Sequence, residues 1–162
     1  MVRQEEFVAK FIYGDRIAKS TKMTTACCAI IFDPTRQCVL LTRRSDNGRW
    51  CLPDGAMNPG ETTLACCARE VLEEPGLEVR VGRLVGLHSS PHLILEYADG
   101  NRQQNLDLLF EAEPFGGKLC VTDEATEVGY FSPEQMKSMD VMEPVYDWVA
   151  DALAGQEAAF LR

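Results

Sequence analysis

Residues 55–77 read GAMNPGETTLACCAREVLEEPGL, a loop, a helix and a stop. Pro59-Gly60 marks the loop. Residues 61–74 contain neither Gly nor Pro, enough for a helix of nearly four turns. Pro75 cannot continue the helix, and Gly76 accepts the left-handed cap conformation. Pro75 also disfavours helical dihedrals at Glu74. At about 100° per residue, Leu64, Ala65, Ala68, Val71 and Leu72 share one arc, which is expected to pack on a core. Glu70, Glu73 and Glu74 share the opposite arc, because i, i+3 and i+4 are neighbours.

Three like charges on one arc repel one another, and something positive should offset that cost. A hard divalent cation taking oxygen ligands, such as Mg²⁺, would do so. Arg69 lies one residue away and can reach back to Glu61, a pair suited to orienting the carboxylates. Charge pattern alone is more often met by a solvated acidic face.

The spacing narrows the choice. Gly55, five residues, Glu61, seven residues, Arg69-Glu70-Val71, one residue, Glu73-Glu74, one residue, Gly76-Leu77 resembles the signature of the Nudix hydrolase family at every defined position. The flanking Trp50-Cys51-Leu52-Pro53-Asp54-Gly55 resembles that family's lead-in, with Asp54 where Gly is usual. The resemblance implies an α/β fold, a Nudix-like α/β/α sandwich around a mixed β-sheet. It implies hydrolysis of the pyrophosphate linkage in a nucleoside diphosphate derivative, with Mg²⁺ or Mn²⁺ as cofactor. Carried over residue by residue, Glu73 and Glu74 are metal ligands, and Gly55 gives a backbone carbonyl. Glu70 is metal-bound or acts as base, and Arg69 with Glu61 orients it. A further acid is expected from a late loop, where Glu124 is preferred over Asp123 and Glu127. Pro91 stands fourteen residues beyond Leu77, close to where members acting on ADP-ribose carry a proline. An ADP-ribose-like or other sugar- or alcohol-linked nucleotide is therefore the first substrate reading. A nucleoside triphosphate, oxidised ones included, is the alternative. A catalytically weak nucleotide-binding domain is the alternative from a different class.

Composition bounds the rest. The 162 residues suit one domain, with 46% hydrophobic and 25% charged residues. A net charge of −9 argues against a nucleic acid polymer as partner, which calls for a basic face. It leaves a small-molecule nucleotide open, since a metal brings positive charge to the phosphates. No apolar run is long enough to span a membrane, and the start MVRQEEFVAKF does not read as a signal peptide. Cysteines stand at 27, 28, 38, 51, 66, 67 and 120, without zinc spacing. They read as buried free thiols in a reducing, cytoplasmic setting. Cys66, near the carboxylate arc, is a reactive thiol beside the site or only a filler. A homodimer is left open.

Along the chain, residues 1–22 suggest an N-terminal strand or arm, 23–155 the domain, and 156–162 a tail. Strands are expected at 24–32 and 38–42 as a hairpin, then at 78–87 with a bend at Gly82. Further strands are expected at 93–97 and 105–111 about an Asp99-Gly100 turn, and at 126–131. Ser132-Pro133-Glu134-Gln135 reads as a helix start. Residues 140–153 read as a final helix with Val145, Trp148, Val149 and Leu153 on its apolar stripe. Arg43, Arg44 and Arg49, just upstream of the motif, are candidate phosphate contacts, or ordinary surface charges.

Overall fold

The computed structural model describes residues 10–97 and 99–162. Residues 1–9 of the expected N-terminal strand or arm lie outside them. The first strands are β1 (Lys10–Tyr13), β2 (Lys22–Ile30), β3 (Val39–Arg44), β4 (Trp50–Cys51) and β5 (Asp54–Ala56). Helix α1 (Thr63–Glu73) follows, then β6 (Leu77–His88), β7 (Leu93–Glu96), β8 (Arg102–Gly117) and β9 (Ala125–Phe131). The chain ends with α2 (Pro133–Met136), α3 (Glu143–Leu153) and β10 (Phe160–Leu161).

Strand β8 is the spine of a seven-stranded mixed sheet. It pairs parallel with β2 and antiparallel with β6 and β7; β5, β1 and β10 extend the sheet. A strand in this central position has both faces covered, which is why β2 ends in a continuous apolar run rather than an alternating one. Its residues divide by parity. Cys27, Ala29 and Ile31 face α1 with Cys66, Cys67, Val71 and Phe110. Cys28 and Ile30 face α3 with Leu109, Val145, Trp148 and Val149. The result is an α/β sandwich in which adjacent cysteines are small apolar fillers of opposite layers. Truncating Trp148 in the second layer to Ala would cost about 3–5 kcal/mol.

Helix α1 starts at Thr62, whose hydroxyl accepts from the Ala65 amide at 3.1 Å. It stops at Gly76, whose φ of +77° suits a residue without Cβ. The Lys118 and Cys120 amides then satisfy the Gly76 and Pro75 carbonyls. Glu74 nevertheless keeps helical dihedrals (φ −85°, ψ −71°), and its N–H bonds the Glu70 carbonyl at 2.9 Å. Pro75 ends the helix without swinging Glu74 away, contrary to the sequence expectation.

The helix also faces the other way from that expected. Its buried stripe is Cys66, Cys67, Glu70 and Val71, continued by Glu74, while Leu64 and Leu72 are about half exposed. Of the expected apolar arc, only Val71 is fully buried. The cysteines supply the core contact, and the carboxylates turn inward because a cavity lies there.

Other differences are local. The expected hairpin of 24–32 and 38–42 is short, closed by the Asp33–Cys38 and Leu40–Ile31 backbone bonds, and β3 then joins a separate three-stranded sheet with β4 and β9. The turn at Asp33, whose Oδ1 accepts from the Gln37 and Cys38 amides, carries the chain out of the first sheet after one Phe32–Val39 bridge. The bend at Gly82 exists, as a register shift between Val81 and Leu84. Helix α3 begins later than expected because residues 140–142 pair with Trp50 instead. On its stripe Ala152 is buried where Leu153 is half exposed. Ser132 and Gln135 form the expected capping box of α2.

Candidate active site

Strand β5 runs antiparallel to β2 and sets Gly55 opposite Cys27, under the inward face of α1. Glycine is required there by close approach. A side-chain carbon on Gly55 would lie 2.1 Å from Cδ of Glu70, inside the space of its carboxylate. Beside it, Glu70, Glu74 and Glu124 bring carboxylate oxygens within 4.8 Å of one another. Glu70 and Glu74 come from one helix face, one turn apart. Glu124 arrives from the loop before β9. All three line a cavity of about 440 Å³ between α1, β5 and β8.

Burial is expensive for these charges. Glu70 is pushed above its ordinary value, first by burial, with Arg69 pulling the other way. Glu74 is pushed well above it by burial and by Asp54, while the Thr42 hydroxyl, donating to its Oε2 at 2.9 Å, opposes the rise. Arg69 ties the neighbourhood together. Its Nε and Nη2 donate to the two Glu61 oxygens at 2.6 and 3.0 Å. Its Nη1 donates to Glu70 at 2.5 Å and to Glu73 at 2.9 Å, and Nη2 also reaches the Ala56 carbonyl at 3.1 Å. The Arg69 bond holds Glu61 down at about 2, so it stays ionised. Asp54 accepts from Arg44 at 3.3 Å and from the Cys51 thiol at 3.0 Å; Arg44 also grips Asp46 at 2.8 and 2.9 Å.

An all-oxygen donor set fits a hard divalent cation such as Mg²⁺ or Mn²⁺, and the Gly55–Glu70 cradle keeps the set in place. Glu73 lines the same cavity but is half exposed, held on Arg69, and outside the three-acid group.

The residues singled out in the sequence fall in different places. Arg44 lines the cavity. Arg43 pairs with Glu127 and donates to the Gly48 carbonyl at 2.8 Å. Arg49 pins residues 140–143 through Asp140, the Val141 carbonyl and Glu143. Pro91 accepts from the Ala18 amide at 3.2 Å and packs the N-terminal segment. None of these last three is among the cavity-lining residues. Cys66 is a filler. It is fully buried, and burial pushes its thiol up to about 12. Cys38 is half-buried and Cys120 exposed, unlike the other five.

Sequence reasoning missed Gln103, Asn105 and Asp107, which line the cavity from β8. Burial and the neighbouring charge of Asp54 push Asp107 up to about 7, with the Asn105 amide pulling it down. The signal was present as polar residues at every second position of a strand. Such a face is ordinarily read as solvent-exposed.

The Nudix domain model matches residues 22–151. A MutT-like protein of Streptomyces ambofaciens is 33% identical over 98 residues, covering 60% of this chain and 57% of that protein. An ADP-ribose pyrophosphatase of Methanocaldococcus jannaschii is 33% identical over 96 residues, covering 57% and 53%. The match thus spans just over half the length of either relative. A solved Nudix hydrolase of Nitrosomonas europaea superposes with a TM-score of 0.70 at 25% identity, covering 87% of this chain and 78% of that one. No helix among the described residues is long and apolar enough to cross a membrane. With the domain model covering most of the chain and the acid cluster built on the motif helix, the protein belongs to the Nudix family.

Proposed function

We propose that the protein hydrolyses the pyrophosphate linkage of a small nucleoside diphosphate derivative, with an ADP-ribose-like or other sugar-linked nucleotide as the first substrate class. The observation that carries this is the three-acid group of Glu70, Glu74 and Glu124 at the wall of an open cavity beside Gly55. The activity in the name of the Methanocaldococcus relative supports the substrate class.

Glu70, Glu74 and Glu124 would hold Mg²⁺ or Mn²⁺ with the Gly55 carbonyl, and Glu73 is a further ligand in this reading. Such a cation neutralises phosphate charge and acidifies bound water. The chain's own residues do the rest. Arg69, clamped by Glu61, orients the Glu70 carboxylate through its 2.5 Å bond. Arg44 gives the cavity wall a guanidinium that draws the diphosphate. Glu70 or Glu124 accepts the proton of the attacking water. The water oxygen bonds one phosphorus, the bridging P–O bond breaks, and two phosphate-bearing products leave.

The test is release of nucleoside monophosphate from a panel of nucleotide sugars and triphosphates, with Mg²⁺, Mn²⁺ or a chelator. Metal-dependent release, lost in Glu70→Gln, is expected. No metal-dependent release from any member would overturn the reading and favour a nucleotide-binding domain without turnover.

A further inference from the structure

Two further cavities adjoin the one beside the three-acid group: a narrow slot of about 50 Å³ and an outer cavity of about 260 Å³ beside His88 and Arg162. The main cavity and the slot share Asp54, Leu95, Asn105 and Asp107. The slot and the outer cavity share Ser90, Leu93, Pro144, Trp148 and Asp107. Asp107 lines all three, so it stands where they adjoin.

The acid cluster and Arg44, itself paired with Asp46 and Asp54, line the main cavity. Among the described residues, the slot is lined by none of the three clustered acids and by no Arg or Lys; its charged groups are Asp54 and Asp107. A diphosphate therefore belongs at the acid-cluster end, where the cation would be held, and the organic part of the substrate at the slot.

The slot itself selects the organic group. Phe11, paired across to Leu95, and Leu93 line it together with Met142, Pro144 and Trp148. A hydroxyl-covered sugar among these side chains would leave its hydroxyls unpaired, at a cost in free energy, whereas a flat heterocycle buries its faces there. The polar floor supplies both halves of an edge contact. The Asn105 Oδ1 is taken by Gln103 Nε2 at 3.0 Å, and its amide also bonds the Asp107 carboxyl, which leaves one Asn105 N–H as a donor. The Asp107 carboxyl is the acceptor beside it. A ring edge with an acceptor and a donor side by side matches this pair, and nucleobases carry such edges.

We propose that Asp107, with Asn105 beside it, determines base specificity by hydrogen-bonding the edge of the nucleobase while the base lies in the slot between β7 and α3. This rests on the reading of the protein as a nucleotide hydrolase and adds which part of the nucleotide is recognised and where.

The experiment compares the wild-type protein with Asp107→Asn and Asp107→Leu. The kcat and KM are measured over nucleotide substrates that differ only in the base. Binding of the corresponding free nucleosides is measured without metal by titration calorimetry. The expected result is a base preference in the wild type that Asp107→Asn reorders and Asp107→Leu flattens. KM for the preferred base should rise about 10–100-fold, the loss expected when a buried hydrogen-bonding group is left without its partner, with kcat within a few-fold. Nucleoside binding should weaken in parallel. Absence of hydrolysis with nucleoside binding that depends on Asp107 would sink the hydrolytic reading and support this one. Hydrolysis with no base preference, or with KM unaltered by either substitution, would overturn this inference and leave the hydrolytic reading standing. A uniform fall in kcat for all bases would also overturn it, by placing Asp107 in the chemistry instead.

Discussion

Gly55 and Glu70 compete for one volume: the place of a side chain at 55 is filled by the Glu70 carboxylate, with both oxygens within 2.3 Å of the missing Cβ. Gly55→Ala must therefore push that carboxylate aside. A displacement of about 1 Å at a reacting group can cost on the order of 100-fold in rate, and a loss of that size is expected here. The fold should survive, because the atoms that must move are the far end of one side chain. Turnover measured beside circular dichroism checks it; near-normal turnover would mean that Glu70 has a second workable position.

The buried acids should make the protein respond to metal in its melting temperature. A cation that binds only the folded state stabilises it by about 2.7 kcal/mol at one hundred times its dissociation constant. For a chain of this size that is about 5–10 °C. Glu74→Gln should abolish the rise. It should also stabilise the metal-free protein, because burial and Asp54 already disfavour the Glu74 charge. Thermal melts with MgCl₂, MnCl₂, a chelator and NaCl of matched ionic strength decide this. A rise with NaCl equal to that with MgCl₂ would point to a screened acidic surface.

Pro75 follows a residue whose backbone stays helical and whose carboxylate stays with Glu70 and Glu124. Pro75→Thr should accordingly leave the Mg²⁺ and Mn²⁺ dependence of turnover unchanged. Tighter Mg²⁺ binding in the variant would show that the proline strains the site after all.

His88 gives a pH signature. It is buried, its Nε2 has no hydrogen-bond partner among the described residues, and Asp151 Oδ2 lies 3.7 Å away. Burial lowers its pKa below the ordinary 6.5, helped by Arg162 and opposed by Asp151. Below about pH 6.5 the unfolded chain takes up a proton that the folded chain resists. Stability is therefore lost as pH falls from 6.5 toward the folded value, by at most about 1.4 kcal/mol per pH unit. His88→Phe should remove that loss. Denaturant melts of both proteins between pH 7.5 and 5.5 test it, since contributions common to both cancel. Parallel stability curves would show that His88 titrates alike in the folded and unfolded chains.

Much of this molecule was readable before any coordinates. The motif residues from Gly55 to Leu77 stand at local spacings, so loop, helix and stop follow from local geometry; the acid cluster does not, since Glu73 stays outside it and Glu124 joins from a distant loop. Asp99-Gly100, the capping box at Ser132 and the bend at Gly82 are likewise local signals. Glu124, nominated from a late loop, reaches Glu70 and Glu74.

What only the tertiary structure decided is which surfaces meet. Periodicity separates two arcs of α1 but does not say which one faces inward. Leucine loses to cysteine here because the inward arc must share its space with a cavity. Arg43, Arg44 and Arg49 look alike in sequence, yet Arg44 alone of the three lines that cavity, since strand pairing sends the other two to Glu127 and to residues 140–143. The polar alternation of Gln103, Asn105 and Asp107 marks one strand face, and only the position of β8 at the centre of the sheet turns that face into a wall of the cavity. Local spacing determines which side chains share a face. The packing of distant segments determines what that face looks upon, because burial depends on neighbours that sequence order does not name.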